Sequence, residues 1–296
     1  MPSPEHEAVV AAMQAAPVTA APSIEEQRAN YDAMLGANPL PGDAVVEEIV
    51  IEHVEADWVS VPESRPDRAI LYLHGGGYVI GSNRAYREYG ARLARATRSR
   101  VCVLNYRLAP EHPFPAAVDD AAMAYRWLVD QGLDPTRLVI AGDSAGGGLA
   151  LAALQRLRDD GDVLPAGAAC LSPWVDLEVT GASAAPGVVD DPLVSLDTLA
   201  GMRKAYAGSQ VRNPLASPLH GHFSGLPPLL IQVGTREILL DDAVRAAAKA
   251  RAAGVEVQYF EGEDLIHVWP VLMPTAPESA AALVQIGEFV ESVTGG

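Results

Sequence analysis

The order of apolar and polar positions divides the chain into short apolar runs that alternate with longer amphipathic segments. The short runs predict buried strands near residues 69–73, 101–104, 138–141, 168–171, 229–233 and 255–260. The longer segments predict helices near residues 85–97, 116–131, 146–158, 242–253 and 279–293. Because strands that alternate with helices are typical of a parallel sheet covered on both faces, the pattern predicts an α/β fold.

The N-terminal part of the chain departs from this alternation. Residues 1–42 contain two helical segments, near 5–15 and 23–35, and end in a proline-rich turn. The next two segments, 45–54 and 57–61, show the partial alternation of an antiparallel pair at the edge of a sheet. Together with the six buried strands they predict a mostly parallel, eight-stranded sheet.

A second departure lies between residues 176 and 227, where about fifty residues separate two consecutive strands. One helix is predicted there, near residues 195–206, and an excursion of this length in a compact domain is usually a functional insertion. We therefore expect a helical cap over a catalytic core. The predicted division is an N-terminal part of the cap at 1–42, the core at 43–176 and 227–296, and an inserted cap segment at 177–226.

Composition excludes several classes of partner. With 296 residues, 49% of them hydrophobic, the chain can build a large core. Its formal net charge of −17 disfavours nucleic acid and anionic membrane surfaces. No run of apolar residues is long enough to span a membrane.

The cysteines and the N-terminus favour a cytoplasmic location. Cys102 and Cys170 each lie inside an apolar run, which predicts buried thiols and no disulfide framework. Residues 1–20 have no basic segment ahead of an apolar one and contain three prolines, so we do not expect a secretory signal peptide.

The strongest chemical signal is a G-x-S-x-G pattern at residues 142–146, between a predicted strand and a predicted helix. A sharp turn in this place strains the backbone of its central residue and exposes that residue's side chain at the carboxyl edge of the sheet. Ser144 is therefore the predicted nucleophile. The pattern alone is weak, because glycine and serine are common in turns.

A serine hydroxyl needs a base, and the base needs a carboxylate that orients it. His267 follows the last predicted strand, where an α/β-hydrolase carries its base. Glu237, four residues after strand 229–233, is the favoured acid, and Asp241 is the alternative, since it has a second explanation as a helix-capping residue. The H-x-H pair at 220–222 has no further ligands nearby in the sequence and predicts no metal site.

Three consecutive glycines, Gly75, Gly76 and Gly77, end the strand at 69–73. Their amides, with that of Ala145 beside the nucleophile, are the predicted oxyanion hole. A glycine-rich turn could instead bind phosphate, but neither nucleotide-binding glycine pattern is present. Tyr78 and Asp143 are the predicted substrate-binding residues, with packing under the cap as the alternative for Tyr78.

The chain resembles the hormone-sensitive-lipase-like (bacterial family IV) esterases of the α/β-hydrolase superfamily. The matching segments are H-G-G-G-Y at 74–78, Y-R-L-A-P-E-H-P-F-P-A-A at 106–117, G-D-S-A-G-G at 142–147, S-P-W at 172–174 and I-H at 266–267. One position departs from the pattern, because this group usually has aspartate where the chain has Glu237.

The resemblance implies a carboxylesterase that acts on short- to medium-chain esters through a Ser144–His267–acid triad, without a cofactor. Lactone or arylamide hydrolysis by the same triad, or a non-catalytic ligand-binding relative, are the alternatives. The presence of His267 counts against the last of these. The expected partner is a small-molecule ester; the resemblance leaves a homodimer open, and no segment of the chain indicates one.

Overall fold

The computed structural model describes residues 1–15 and 23–295. Its centre is one eight-stranded sheet with the strand order β1-β2-β4-β3-β5-β6-β7-β8. Only the β1–β2 and β2–β4 pairs are antiparallel. The strands are β1 Val45–Ile51, β2 Val54–Ser60, β3 Arg65–Leu73, β4 Ser99–Leu104, β5 Leu138–Asp143, β6 Gly167–Leu171, β7 Leu229–Gly234 and β8 Val257–Gly262. The predicted α/β fold, with its mostly parallel sheet of eight strands, is confirmed.

Helices cover both faces of the sheet, as the alternation predicts. Within β3, Leu71 and Leu73 belong to one apolar cluster, while Ile70 and Tyr72 belong to the cluster on the other face. This is the two-residue period of a strand that is buried on both sides. The described helices are α1 Pro4–Ala15, α2 Ile24–Leu35, α3 Arg87–Thr97, α4 Ala116–Asp130, α5 Ala145–Asp160, α6 Leu196–Tyr206, α7 Leu240–Ala252, α8 Trp269–Leu272 and α9 Pro277–Thr294.

The predicted cap segments contain α1, α2 and α6. Helix α2 begins at a capping box in which Ser23 and Glu26 satisfy each other's backbone amides. Helix α6 begins at Ser195, whose side chain accepts from the amide of Thr198. Residues 16–22, which the predicted N-terminal part of the cap includes, lie outside the described residues. The division into cap and core stays a prediction, as does the one on residues 1–20.

Other sequence predictions have clear outcomes. Cys102 and Cys170 are buried and unpaired, as expected. No helix in the described ranges has both the length and the apolar character that a membrane crossing needs. Helix α8 was not predicted, because four residues are too few for a helical period to emerge from the sequence.

The topology brings the ends of distant strands together. Strands β3, β5, β6, β7 and β8 are parallel neighbours, so their carboxyl ends share one edge of the sheet. The loops after β5, β7 and β8 carry Ser144, Glu237 and His267. Residues that are far apart in sequence therefore meet at this edge, below helices α2 and α6.

Candidate active site

Ser144 occupies the turn between β5 and α5 with φ 54° and ψ −121°, a strained conformation for a residue other than glycine. The two flanking glycines make this turn sterically feasible. A Cβ atom on Gly146 would lie 1.9 Å from the carbonyl oxygen of Leu73, and one on Gly142 would lie 2.4 Å from that of Gly146. Both glycines of the G-x-S-x-G pattern are therefore required by close packing. The side chain of Ser144 lines an apolar cavity at the carboxyl edge of the sheet.

The three side chains that the sequence predicts as a triad form a continuous chain of hydrogen bonds. His267 Nε2 lies 2.9 Å from Ser144 Oγ, and His267 Nδ1 lies 2.8 Å from Glu237 Oε2. Glu237 and His267 are both buried. With Glu237 ionised, the Nδ1–H group donates to the carboxylate, and Nε2 accepts from the serine hydroxyl. This is the arrangement in which a histidine can take the proton of a serine.

Among the acids that follow β7, only Glu237 reaches the histidine. Asp241 accepts instead from the backbone amide of Ser183, at 3.0 Å. Asp242 accepts from the amides of Val175 and Asp176, each at 2.9 Å. The geometry therefore favours Glu237 as the acid over the alternative that the sequence left open.

Ser172 is a site residue that the sequence reasoning did not single out. Its hydroxyl donates to Glu237 Oε1 at 2.7 Å and accepts from the Val268 amide at 3.2 Å. The Gly234 amide donates to the same Glu237 oxygen. Ser172 therefore holds the acid and the loop of the base together. The S-P-W segment signalled this position only as part of the family resemblance.

The electrostatics of His267 suit a general base. Burial disfavours the charged imidazolium, but the hydrogen bond and the negative charge of Glu237 outweigh it and raise the pKa of His267 above its ordinary value. A histidine with a raised pKa holds an abstracted proton more strongly. The pair can thus stabilise the imidazolium that forms when Ser144 loses its proton.

The glycine turn after β3 presents two free amides. Gly76 has φ 108° and Gly77 has φ 62°, both in the region that favours glycine. Within residues 1–15 and 23–295, neither N–H group has a hydrogen-bond acceptor. Ala145, the first residue of α5, has a free amide because helix geometry leaves the first N–H groups unpaired. These three amides are therefore available to an oxyanion.

The structure corrects the prediction for Gly75. Its N–H group donates to Asp143 Oδ1 at 3.0 Å and to the Tyr86 hydroxyl at 3.1 Å. A Cβ atom on Gly75 would lie 2.3 Å from Asp143 Oδ2. The amide is committed to these contacts, so Gly75 shapes the turn and does not belong with the oxyanion donors.

Asp143 accepts several hydrogen bonds inside the protein. Tyr72 donates to it at 2.7 Å and Tyr86 at 2.9 Å, in addition to the Gly75 amide. Burial raises the pKa of Asp143 to about 6, although these hydroxyls favour its ionised form. The Tyr86 hydroxyl also lies 2.8 Å from that of Tyr31 on α2. Asp143 thus fixes the glycine turn; it also lines the cavity above Ser144, and its contact with substrate stays a prediction.

Tyr78 is likewise a packing residue. Its ring is buried and stacks on Tyr206 of α6 with the ring centroids 3.7 Å apart, and it contacts the ring of Trp174. It does not line the cavity above Ser144. The alternative, packing under the cap, describes its place in the structure, and a substrate contact stays an untested prediction.

Comparison with known proteins finds hydrolases that are similar over most or all of the chain. The family model of the alpha/beta hydrolase fold matches residues 70–271. An acetyl-hydrolase of Streptomyces hygroscopicus is 44% identical over 100% of this chain and 99% of its own length. An esterase of the bacterial hormone-sensitive lipase family has a crystal structure with a TM-score of 0.96, 44% identity and full coverage of both chains.

The chain belongs to the hormone-sensitive-lipase-like family of α/β-hydrolases. Another similar structure is that of EstE5 soaked with p-nitrophenyl butyrate, with a TM-score of 0.94 and 40% identity over 99% of this chain and 100% of that one. The family resemblance that the sequence motifs indicate is thereby confirmed.

Ser144 and His267 line an apolar cavity of about 370 Å³. Its floor includes Ser144, His267, Gly76 and Gly77. Its walls come from α2, from α6 and from the segment between β6 and α6, and include Gln27, Asn30, Tyr31, Met34, Trp174, Leu193, Val194, Thr198, Leu199 and Met202. The sequence did not single out most of these residues, because an apolar residue that faces a cavity has the same pattern as one that faces the core.

One cluster outside the cavity has side chains of the types that bind metals. Among the described residues, Asp176, Glu178 and His220 place ligand atoms within 4.8 Å of one another. However, Arg245 lies 3.1 Å from the carboxylate of Asp176, and Arg212 lies 2.6 Å from that of Glu178. The carboxylates are already paired with cations, and the second histidine of the H-x-H pair is not in the cluster. We therefore assign no metal ligand here.

Proposed function

We propose that the protein is a serine carboxylester hydrolase in which Ser144, His267 and Glu237 form the catalytic triad. The observation that carries this proposal is the unbroken hydrogen-bond chain from Glu237 through His267 to Ser144, which ends at the floor of an apolar cavity. The esterase and acetyl-hydrolase names of the similar proteins agree with it.

Acylation begins when Ser144 Oγ attacks the carbonyl carbon of the ester while its proton moves to His267 Nε2. The carbonyl oxygen becomes an oxyanion, and the amides of Gly76, Gly77 and Ala145 donate to it. The bond to the alkoxy oxygen then breaks, and His267 returns its proton to the leaving alcohol. Glu237 keeps the Nδ1 proton in place and stabilises the imidazolium throughout.

Deacylation repeats these steps with water. His267 removes a proton from a water molecule, the water oxygen attacks the acyl carbon, and the same amides hold the second oxyanion. When this intermediate collapses, Ser144 Oγ leaves and recovers a proton from His267, and the carboxylic acid is released. Every proton and electron pair is accounted for by these side chains and water.

The cavity supports short- to medium-chain esters as substrates. At about 370 Å³ it lies between the sheet edge and the helices α2 and α6, and its lining is mainly apolar. An acidic chain with a net charge of −17 makes nucleic acid an unfavourable partner. A homodimer and a cytoplasmic location stay predictions.

The test is hydrolysis of p-nitrophenyl acetate, butyrate, octanoate and laurate by the unmodified protein and by Ser144→Ala. We expect turnover that favours the shorter chains and a loss of at least about 10³-fold in the variant. Matched anilide and lactone substrates measure the preference among the reactions that this triad serves. Binding of the esters without any turnover by the unmodified protein would overturn the proposal in favour of a ligand-binding role.

A further inference from the structure

A second apolar groove lies beside the catalytic cavity. It has a volume of about 440 Å³ and separates helix α1 from helix α2. Its α1 side includes Ala8, Val9, Ala12 and Met13, and Asn38 is the one polar residue among its described lining residues. Small side chains at the two alanines leave the space that the groove occupies.

The groove and the catalytic cavity share two wall residues, Met34 and Leu272. A side chain that lines two cavities at once lies between them. Among the described residues, no other side chain lines both cavities, so these two form the partition between them.

The two residues of this partition differ in how deeply they are buried. Leu272 lies on α8, directly after the loop of His267, and packs against the core cluster of the sheet and the cluster around α1. It is therefore a fixed wall. Met34 is 39% exposed, so it is the part of the partition that a smaller side chain can replace without disturbing the core.

We propose that the α1–α2 groove is a subsite for the distal part of the linear hydrocarbon chain of an ester, and that Met34 separates it from the catalytic cavity. This inference rests on the proposed function. The groove continues the catalytic cavity beyond Met34. A hydrocarbon chain whose ester group lies at Ser144, and which is too long for the catalytic cavity, therefore meets Met34 next. Apolar walls on the far side then favour methylene groups over water.

The expected gain in kcat/KM can be worked out for each methylene group that enters the groove. Transfer of one methylene from water to an apolar environment changes an equilibrium by about fourfold. A chain that places two further methylenes in the groove therefore gains about 16-fold in kcat/KM, which is more than tenfold. The partition makes the protein favour short chains, and its removal shifts that preference toward long ones.

The readout is the ratio of kcat/KM for p-nitrophenyl laurate to that for p-nitrophenyl butyrate. In Met34→Ala, or in the milder Met34→Val, we expect the ratio to rise by at least about tenfold over the unmodified protein. Met34→Leu, which keeps the bulk of the side chain, is the matched control and leaves the ratio within about twofold. A parallel series of n-alkyl acetates tells whether the acyl chain or the alcohol chain enters the groove.

A double-variant cycle separates the groove from mere enlargement of the catalytic cavity. Ala12→Trp fills the groove from α1, whereas Ala11→Trp puts the same side chain on an exposed position of α1 outside it. We expect Ala12→Trp to cancel the gain of Met34→Ala and Ala11→Trp to leave it intact.

Two results would overturn the inference: a ratio that does not change in Met34→Ala and Met34→Val, or a gain that survives Ala12→Trp. Failure of the unmodified protein to hydrolyse butyrate would instead contradict the proposed function. The two failures are therefore distinguishable.

Discussion

Replacement of Glu237 by glutamine tests the acid arm of the triad with little change in shape. Glu237 Oε1 accepts two hydrogen bonds, from the Ser172 hydroxyl and the Gly234 amide. In glutamine, the amide oxygen must take this place, because the Gly234 N–H group can only donate. The NH₂ group then points at His267 Nδ1.

An NH₂ group in this position forces His267 into the wrong tautomer. Nδ1 becomes the acceptor, so the proton of the neutral imidazole sits on Nε2, where it faces Ser144 and blocks general-base catalysis. The corresponding change of acid to amide in a serine protease lowers kcat by about 10⁴-fold. We expect a loss of about 10³- to 10⁴-fold here, or roughly 4 to 5.5 kcal/mol in activation free energy.

The assay is kcat/KM for p-nitrophenyl butyrate between pH 5 and pH 9, with thermal unfolding of each variant as a measure of folding. Asp241→Asn is the matched control, since Asp241 binds the Ser183 amide and does not contact His267. We expect this control to stay within about threefold of the unmodified protein. A folded Glu237→Gln within tenfold of full activity, or a large loss in Asp241→Asn, would refute the assignment of the acid.

Three further predictions follow from the same geometry. The pKa of His267 is raised above 6.5, and its neutral form is the base. We therefore expect kcat/KM to rise with pH and to reach half its maximum above pH 6.5. A half-maximum below pH 6.5 would contradict the pairing of His267 with Glu237. Tyr86→Phe removes a buried hydroxyl that donates to a carboxylate and should lower the free energy of unfolding in urea by about 1.5–3 kcal/mol. Tyr206→Phe, whose hydroxyl has no partner among the described residues, should cost far less. Gly146→Ala should abolish soluble expression or activity, because its Cβ would lie 1.9 Å from a β3 carbonyl oxygen. The control is Gly201→Ala in α6. Its Cβ meets open space, so this change should raise the melting temperature slightly.

The sequence predicts the framework of the site well, because the framework depends on local patterns. Apolar runs of strand length and amphipathic segments of helix length recur at intervals that the fold reproduces, usually to within two residues. Once the sheet is parallel, the carboxyl ends of its strands must share an edge. Ser144 and His267 follow from their positions after β5 and β8, so their meeting is a consequence of topology.

The division of roles among neighbouring polar groups was not predictable in this way. Gly75 and Gly76 look alike in the sequence, yet only Gly76 keeps a free amide. The difference is caused by Asp143, which is 68 positions away from Gly75 and captures its N–H group. The sequence of the glycine turn alone does not show that a carboxylate at the end of β5 will accept a hydrogen bond from one of its amides. The same reason explains why the role of Ser172, which binds Glu237 across 65 positions, was missed.

The hydrogen bonds of Tyr31 connect helix α2 to the glycine turn after β3. Its hydroxyl, on α2, meets Tyr86, which donates to Asp143, and Asp143 accepts from the amide of Gly75. The next residue in the chain is Gly76, whose amide is free for the oxyanion. A displacement of α2 would therefore disturb the oxyanion donors through hydrogen bonds as well as the walls of the cavity. Because α2 also carries Met34, the proposed chain subsite and the proposed oxyanion donors would both depend on the position of this one helix.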